Sequence, residues 1–262
     1  MTQKEKISTV YGPVHSWRLG LSLGIDMLFV DSICSFKCIY CQLGKINNHT
    51  AERKIYIETK RVLEDLSLSD WQSSDVITFS GSGEPTLASN LGKTIVQIKK
   101  LIGKPIVVLT NSAHLHDKNV REDLRNADQV FCKLDAVDEK LFERINRPVE
   151  GINLKSIIKG IKTFRREYNG VLAIQTMYQN LSDKQFEKMA KTLVEIAPDE
   201  VQLNSPSRSI PQQWFVEARG NYDKTPYPSV KPRKVLPKDI LELQKRLHEA
   251  TDLKVICKHL AN

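Results

Sequence analysis

The chain has 262 residues, a formal net charge of +8, 40% hydrophobic residues and 27% charged residues. That composition fits a globular protein with a real core and excludes disordered, collagen-like and disulfide-stapled classes. No apolar run reaches the roughly 18 residues of a membrane span. The start, Met1-Thr2-Gln3-Lys4-Glu5-Lys6, has no apolar signal region, so the expected location is cytoplasmic, with no membrane partner. Five cysteines, three of them clustered, suit a cofactor in a reducing compartment. The positive charge admits a polyanionic partner such as RNA, and equally a lysine-rich surface around an anionic cofactor.

Residues 1–26 contain the turn formers of Gly12-Pro13-Val14-His15-Ser16-Trp17-Arg18-Leu19-Gly20 and are expected to cover one end of the fold. His15 reads there as an ordinary polar residue. From Asp26 onward apolar runs alternate with helical patterns. Strands are expected at 27–33, 75–79, 105–110, 129–135, 171–177 and 200–204. Several are rich in Val and Ile and almost continuously apolar, as strands covered on both faces are. Helical periodicity separates them at 61–68, 91–101, 117–124, 138–145, 154–168 and 183–196. The clearest stripe is Leu154, Ile157, Ile158, Ile161, Phe164 and Tyr168, with Lys155, Lys159, Lys162 and Arg166 opposite. Alternating strands and helices predict an α/β fold with a parallel sheet, either a partial (βα)6 barrel or a doubly wound open sheet.

From Ser205 the periodicity stops, and six prolines (206, 211, 226, 228, 232, 237) punctuate the chain. Long irregular segments of this kind are often lids or binding loops. A helix over 238–250 and a short edge strand over 253–257 close the sequence. Nine Lys/Arg and four acids fall between positions 224 and 258, so this stretch is locally basic. The expected organisation is one domain over 1–262, with a barrel core at about 24–205 and a proline-rich C-terminal extension at about 206–262.

In parallel α/β folds ligands bind at the carboxyl ends of the strands. All six expected strands deliver polar residues there: the cysteine loop, Ser80-Gly81-Ser82-Gly83-Glu84-Pro85, Thr110-Asn111-Ser112, Lys133 with Asp135, Gln175-Thr176, and Asn204-Ser205. One polar mouth is the simplest reading. Lys133 and Asp135 are expected to face inward, paired with each other or with a ligand, while Cys132 faces the helices as a small buried hydrophobe. Cys257 is expected to be structural as well.

The first of these loops is the most specific. In Cys34-Ser35-Phe36-Lys37-Cys38-Ile39-Tyr40-Cys41 the three cysteines have C-x3-C-x2-C spacing. A loop this short can turn three thiolates toward one point and offers no obvious fourth ligand. Clustered thiolates suit an iron–sulfur cluster or zinc, and an open coordination position suits a catalytic centre.

This spacing, with an aromatic residue directly before the third cysteine, resembles the radical S-adenosylmethionine (SAM) superfamily. The resemblance extends over most of residues 10–205. Within that superfamily the chain looks most like the subgroup related to wyosine-base synthesis enzymes, which modify transfer RNA. The phrases that carry it are Tyr11-Gly12-Pro13-Val14, Thr78-Phe79-Ser80-Gly81-Ser82-Gly83-Glu84-Pro85-Thr86, Lys133-Leu134-Asp135-Ala136 and Arg144-Ile145-Asn146-Arg147-Pro148. The resemblance implies the partial barrel, and Cys34, Cys38 and Cys41 as ligands of a [4Fe–4S] cluster with SAM on its fourth iron. It implies reductive cleavage of SAM to a 5′-deoxyadenosyl radical that abstracts hydrogen from a substrate. Gly81, Gly83 and Glu84 match the glycine–glutamate motif that receives the SAM amino group, and Tyr40 would lie near the adenine. Asn111, Lys133, Asp135, Gln175 and Asn204 are candidates for holding SAM or substrate; no general acid or base is assigned. The implied partners are a one-electron donor of flavodoxin or ferredoxin type and RNA, transfer RNA included. Wyosine-forming enzymes carry further N-terminal cysteines for a second cluster, and residues 1–33 contain none. The competing readings are a glycyl-radical activase or peptide-modifying radical SAM enzyme, and a non-catalytic zinc or iron–sulfur module closed by His49 as a fourth ligand.

Overall fold

The computed structural model describes residues 7–29, 31–206, 208–220, 222 and 224–258. Its centre is an eight-stranded sheet in the order β1-β2-β5-β6-β7-β8-β9-β12, curled into a half-barrel. β1 (Val10–Ser16) and β2 (Gly20–Ile25) form an antiparallel hairpin. All later pairings in the sheet are parallel: β5 (Val76–Phe79), β6 (Ile106–Thr110), β7 (Gln129–Lys133), β8 (Val171–Met177), β9 (Glu200–Asn204) and β12 (Val255–Cys257). Two two-stranded pairs lie outside it. β3 (Ile33–Cys34) pairs with β4 (Asn48–His49), and β10 (Ile210–Pro211) with β11 (Ser229–Val230).

The helices follow from the apolar stripes. They are α1 (Thr59–Ser67), α2 (Leu91–Leu101), α3 (Lys118–Leu124), α4 (Glu139–Asn146), α5 (Leu154–Glu167), α6 (Asp183–Ile196) and α7 (Pro237–Thr251). α5 buries Leu154, Ile157, Ile161 and Phe164 against the sheet. Its start is fixed by Asn153, whose side chain accepts from the Ser156 amide, and α6 begins with a capping box between Ser182 and Gln185. No helix among the described residues is long and apolar enough to cross a membrane.

Two apolar cores result. The larger lies between the sheet and the helices and contains Ile25, Ile77, Val108, Val130, Cys132, Ile174, Leu203 and Cys257. Cys132 and Cys257 are therefore packing residues, as expected. A small one occupies the concave face: Val76, Val107, Phe131 and Ala173, with Leu19 and Leu109 against them. The period of two explains the division, because residues on either side of Phe131 turn to the helices while Phe131 turns inward.

The sheet departs from the expected one at its start. The first core strand is Gly20–Ile25, not 27–33, and the segment before it is a hairpin in the sheet rather than a cover over one end. The stretch Leu19-Gly-Leu-Ser-Leu-Gly-Ile25 alternates with period two, but its inward residues are small. Gly24 is small for a reason: the Tyr11 ring of β1 occupies the space where a side chain would project. Met27, Leu28 and Phe29 are buried, yet they belong to a turn. The Asp26 carboxylate accepts from the Leu28 amide (3.0 Å) and the Phe29 amide (3.2 Å), which bends the chain away from the sheet. Val30 lies outside the described residues.

Candidate cofactor site

Four strand-end loops are tied together at the carboxyl edge of the sheet. After β2, Asp26 also accepts from the Ser82 amide (3.1 Å) and hydroxyl (2.6 Å), joining this loop to the one after β5. The glycines of that second loop are needed for contact. Gly81 has φ +124° with Asp26 against it, and a side chain on Gly83 would collide with the Ile33 carbonyl. The close approach at Gly83 allows Ile33 to donate to the Ser82 carbonyl (2.8 Å) and to accept from the Glu84 amide (3.0 Å). The cysteine loop is thus hydrogen-bonded to the glycine loop where it begins.

Its other side is held by the segment that leaves α4. The Lys37 amide donates to the Asn146 carbonyl (3.0 Å), the Ile39 amide to the Ile145 carbonyl (2.9 Å), and the Val149 amide to the Ser35 carbonyl (2.9 Å). Phe36 is buried edge-on against Phe142, with ring centroids 5.4 Å apart. Cys41 closes a turn by donating to the Cys38 carbonyl at 3.0 Å.

Two asparagine amides point at sulfur. Asn111 Nδ2, just past β6, lies 3.6 Å from Cys34 Sγ and 2.9 Å from Ser35 Oγ. Asn146 Nδ2, ending α4, lies 3.4 Å from Cys38 Sγ and 2.9 Å from Asp135 Oδ2. Both are N–H donors, the partner type a thiolate needs. Burial pushes all three thiols up, Cys38 to about 12, with neighbouring thiolate and Asp135 charge adding to it. Such thiols lose their protons only in exchange for a cationic partner, and coordination to iron supplies one. Iron–sulfur clusters are held by cysteine thiolates, so a donor set of three cysteines on one short loop, two of them with amide donors at sulfur, fits a cluster.

The carboxylates are already engaged. Glu84 is buried, and Oε1 accepts from the Thr86 amide (3.0 Å), Thr86 Oγ1 (2.6 Å) and Thr110 Oγ1 (2.7 Å). Its Oε2 accepts from the Asn111 amide (2.6 Å), which fixes the Asn111 loop beside Cys34. Burial raises the Glu84 carboxyl while these donors oppose the shift. Asp135 is buried too. It accepts from the Tyr40 hydroxyl, the Asn146 amide and the Met177 amide (2.8 Å), and pairs with Lys133 at 3.2 Å. Lys133 Nζ lies 5.0 Å from the Tyr40 ring centroid. Lys133 and Asp135 do pair with each other, one of the two expected outcomes.

Cys34, Cys38, Cys41, Tyr40, Glu84, Asn111, Lys133 and Asp135 thus share one connected region. Gln175 and Asn204 face the same interior but stand apart from the cysteines. Gln175 is opposite Lys133 in the ladder and donates to Gln202 at 3.4 Å, while Asn204 accepts from Arg18 at 3.4 Å. His49, the proposed closing ligand of a zinc site, has Nε2 at 3.3 Å from the Ser35 carbonyl. Asn146, Asp26 and Arg219 carry structural weight here without having been assigned a role from sequence. Asn146 lies within Arg144-Ile145-Asn146-Arg147-Pro148, but nothing in its local pattern shows that α4 ends against the cysteine loop.

The C-terminal extension reaches the same region. Arg219 pairs with the fully buried Asp26 at 3.4 Å and lies over the rings of Tyr11 (5.2 Å) and Phe29 (5.6 Å). The Tyr222 hydroxyl donates to the Gln42 carbonyl at 3.2 Å, and Gly44 packs against the carbonyls of Pro211 and Gln213.

A half-barrel with a three-cysteine loop at the carboxyl ends of its strands defines a class, and sequence comparison agrees. The family model for the radical SAM superfamily matches residues 30–193. The chain belongs to the radical SAM superfamily, whose enzymes bind a [4Fe–4S] cluster and SAM. It is 46% identical over 253 residues to the UPF0026 protein slr1464 of Synechocystis, spanning 95% of both chains. It is 36% identical over 216 residues to the UPF0026 protein MJ1312 of Methanocaldococcus jannaschii, covering 80% of this chain and 67% of that one. Among solved structures it resembles TYW1 with a lysine-pyruvate adduct bound (TM-score 0.63, 18% identity, 91% of this chain and 77% of that). It likewise resembles Streptococcus suis SuiB bound to S-adenosylmethionine (TM-score 0.63, 18% identity, 90% of this chain and 50% of that). These two likenesses are likenesses of fold.

Proposed function

We propose that the protein is a radical SAM enzyme in which Cys34, Cys38 and Cys41 each hold one iron of the cluster. The observation that carries this is the pair of side-chain amides, Asn111 and the buried Asn146, aimed at the sulfurs of Cys34 and Cys38. When bound, the cluster and SAM would supply reductive SAM cleavage and hydrogen abstraction from the substrate. The chain's own residues arrange the site around that chemistry. Gly81 and Gly83 seat their loop against Asp26 and Ile33, where its backbone would receive the SAM amino group, and Glu84 holds the Asn111 loop through Oε2. Asp135 fixes Tyr40 through its hydroxyl and pairs with Lys133, and Tyr40 and Lys133 would form the wall beside the adenine. Gln175 and Asn204 face the substrate. A flavodoxin or ferredoxin supplies the electron, and the five free thiols suit the cytoplasm. The whole chain, core and extension, acts as one unit. Anaerobic reconstitution followed by chromatography tests this reading: 5′-deoxyadenosine forms with strong reductant, and its absence from cluster-loaded protein contradicts it.

The substrate reading favoured by a specific observation is RNA. Lys231, Arg233, Lys234 and Lys238 are exposed and lie before or at the start of α7. Arg233 is close enough to influence Tyr178, the residue that follows β8 at the mouth. Other basic residues of this region are neutralised by pairing: Lys245 with Glu249, Arg246 with Asp183 and Lys254 with Glu200. Binding to RNA is expected to fall steeply with salt, and a Lys231→Gln, Arg233→Gln, Lys234→Gln variant to lose slope by roughly 0.7–0.9 per phosphate contact removed. No RNA binding at low salt, with modified peptide accumulating instead, would point to the peptide-modifying alternative.

A further inference from the structure

Arg18 sits in the tight turn between β1 and β2, yet its guanidinium crosses the concave face of the sheet. It lies 5.8 Å from the ring centroid of Phe131 on β7 and 5.1 Å from that of Trp17. Nη1 reaches Asn204 at the far end of β9, at 3.4 Å. The alternation of β7 and β9 puts Phe131, Lys133, Gln202 and Asn204 on this same inner face, because their neighbours Val130, Cys132, Val201 and Leu203 belong to the helix-side core. The guanidinium is therefore inside the half-barrel.

A cation in that position normally has a carboxylate beside it. Among the described residues none forms an ion pair with Arg18. Glu200 is the acid whose charge reaches it, but Glu200 is committed to Lys254 at 2.9 Å and to Gln202 at 2.7 Å. Asp135 is likewise taken by Lys133. Arg18 Nε is buried and meets no acceptor. Burial also lowers the guanidinium to about 10, with the charge of Glu200 opposing the shift. Nη1 is turned to a neutral amide, and among the described residues no hydrogen-bond partner meets the Nε–Nη2 side, the edge that forms a two-pronged fork. Arg18 as a whole is only half-buried.

We propose that Arg18 and Asn204 form a binding site for an oxyanion, carboxylate or phosphate, inside the half-barrel. Arg18 supplies the charge through its free fork. Gln175, which donates to Gln202 at only 3.4 Å, supplies an adjacent amide group. Assigning that oxyanion to the substrate rests on the radical SAM reading above; the anion site itself does not.

The test is thermal unfolding of the anaerobically reconstituted protein with increasing acetate or inorganic phosphate, ionic strength being held constant with chloride. The wild-type protein is expected to show a saturable rise in midpoint with at least one of the two, and the anion active at lower concentration identifies the carboxylate or phosphate source. Phosphate stabilises many proteins without binding, but that effect does not saturate. Arg18→Met should show only the unsaturable part. Arg18→Lys, which keeps the charge and loses the fork, should saturate at several-fold higher anion concentration. Without added anion, Arg18→Met should unfold no earlier than wild type, since it removes an uncompensated charge. A wild-type protein with no saturable response to either anion overturns the proposal, as does an Arg18→Met protein that responds like wild type. SAM cleavage measured in the same preparation keeps the two readings apart: anion stabilisation without cleavage removes the radical reading and leaves the anion site standing.

Discussion

The side-chain amide of Asn146 lies 3.4 Å from the sulfur of Cys38, a residue 108 positions earlier in the chain. The amide is held there by its second hydrogen bond, to the buried Asp135, which also receives the Tyr40 hydroxyl. The sulfur at the start of the cysteine loop has a matching donor in Asn111. The loop is thus clamped to the sheet through its sulfurs as well as its backbone.

N–H groups directed at cluster-bound sulfur favour the more negative, reduced state. Asn146→Leu should therefore keep the cluster but move its midpoint potential to a more negative value. Redox titration followed by electron paramagnetic resonance measures this. An unchanged potential with an unchanged iron content would mean that the amide serves only to hold Asp135.

The Asp26–Arg219 pair ties the C-terminal extension to the end of β2 at a point where the acid is fully buried. Removing one partner of such a pair leaves the other charged and without compensation. Asp26 keeps its bonds to the Leu28, Phe29 and Ser82 amides and to the Ser82 hydroxyl, which moderates the loss. Arg219→Met should lower unfolding free energy by about 3 kcal/mol, near the low end for broken buried pairs. Urea denaturation reads it. A loss below about 1 kcal/mol, the range of exposed pairs, would contradict the placement of this contact.

His114, in the loop after β6, should make stability depend on acid. Its Nε2 is buried without a partner, and its ring lies 6.2 Å from that of His116. Burial, then the charges of His116 and Arg53, lower its proton affinity from 6.5 to about 4, with Asp117 opposing them. Between those two values the unfolded chain binds more protons than the folded one, so stability falls as pH drops through that window. The full effect is on the order of 3 kcal/mol. His114→Leu should flatten the dependence of urea midpoint on pH between 6.5 and 4; an unchanged slope would assign it to other groups.

Much of this fold could be read from sequence because its strands are nearly continuous apolar runs and its helices carry clean stripes. Helices 91–101 and 183–196 and strands 171–177 and 200–204 fall where their periodicity puts them. The first strand was misread for a physical reason. The inward face of Gly20–Ile25 is made of small residues, with Tyr11 filling the space at Gly24, whereas the apolar stretch after it is a turn bent by Asp26. Within the site, the three cysteines and the glycine loop were legible because their spacing is local. Asn146, Arg219 and Arg18 were not, since each acts through a contact formed only when distant elements meet. Glu84 and Asp135 can be named as candidates from sequence, but their hold on Asn111 and Tyr40 depends on donors that sequence does not pair.

The most direct test of the central claim is iron, sulfide and zinc analysis of anaerobically reconstituted protein, combined with SAM cleavage under strong reductant, on wild type and Cys38→Ala. Wild type should hold about four irons and four sulfides per chain, the content of one [4Fe–4S] cluster, and yield 5′-deoxyadenosine. Cys38→Ala should lose cluster and cleavage together. One zinc per wild-type chain, with no sulfide and no cleavage, would contradict the account, as would full retention of both properties in Cys38→Ala.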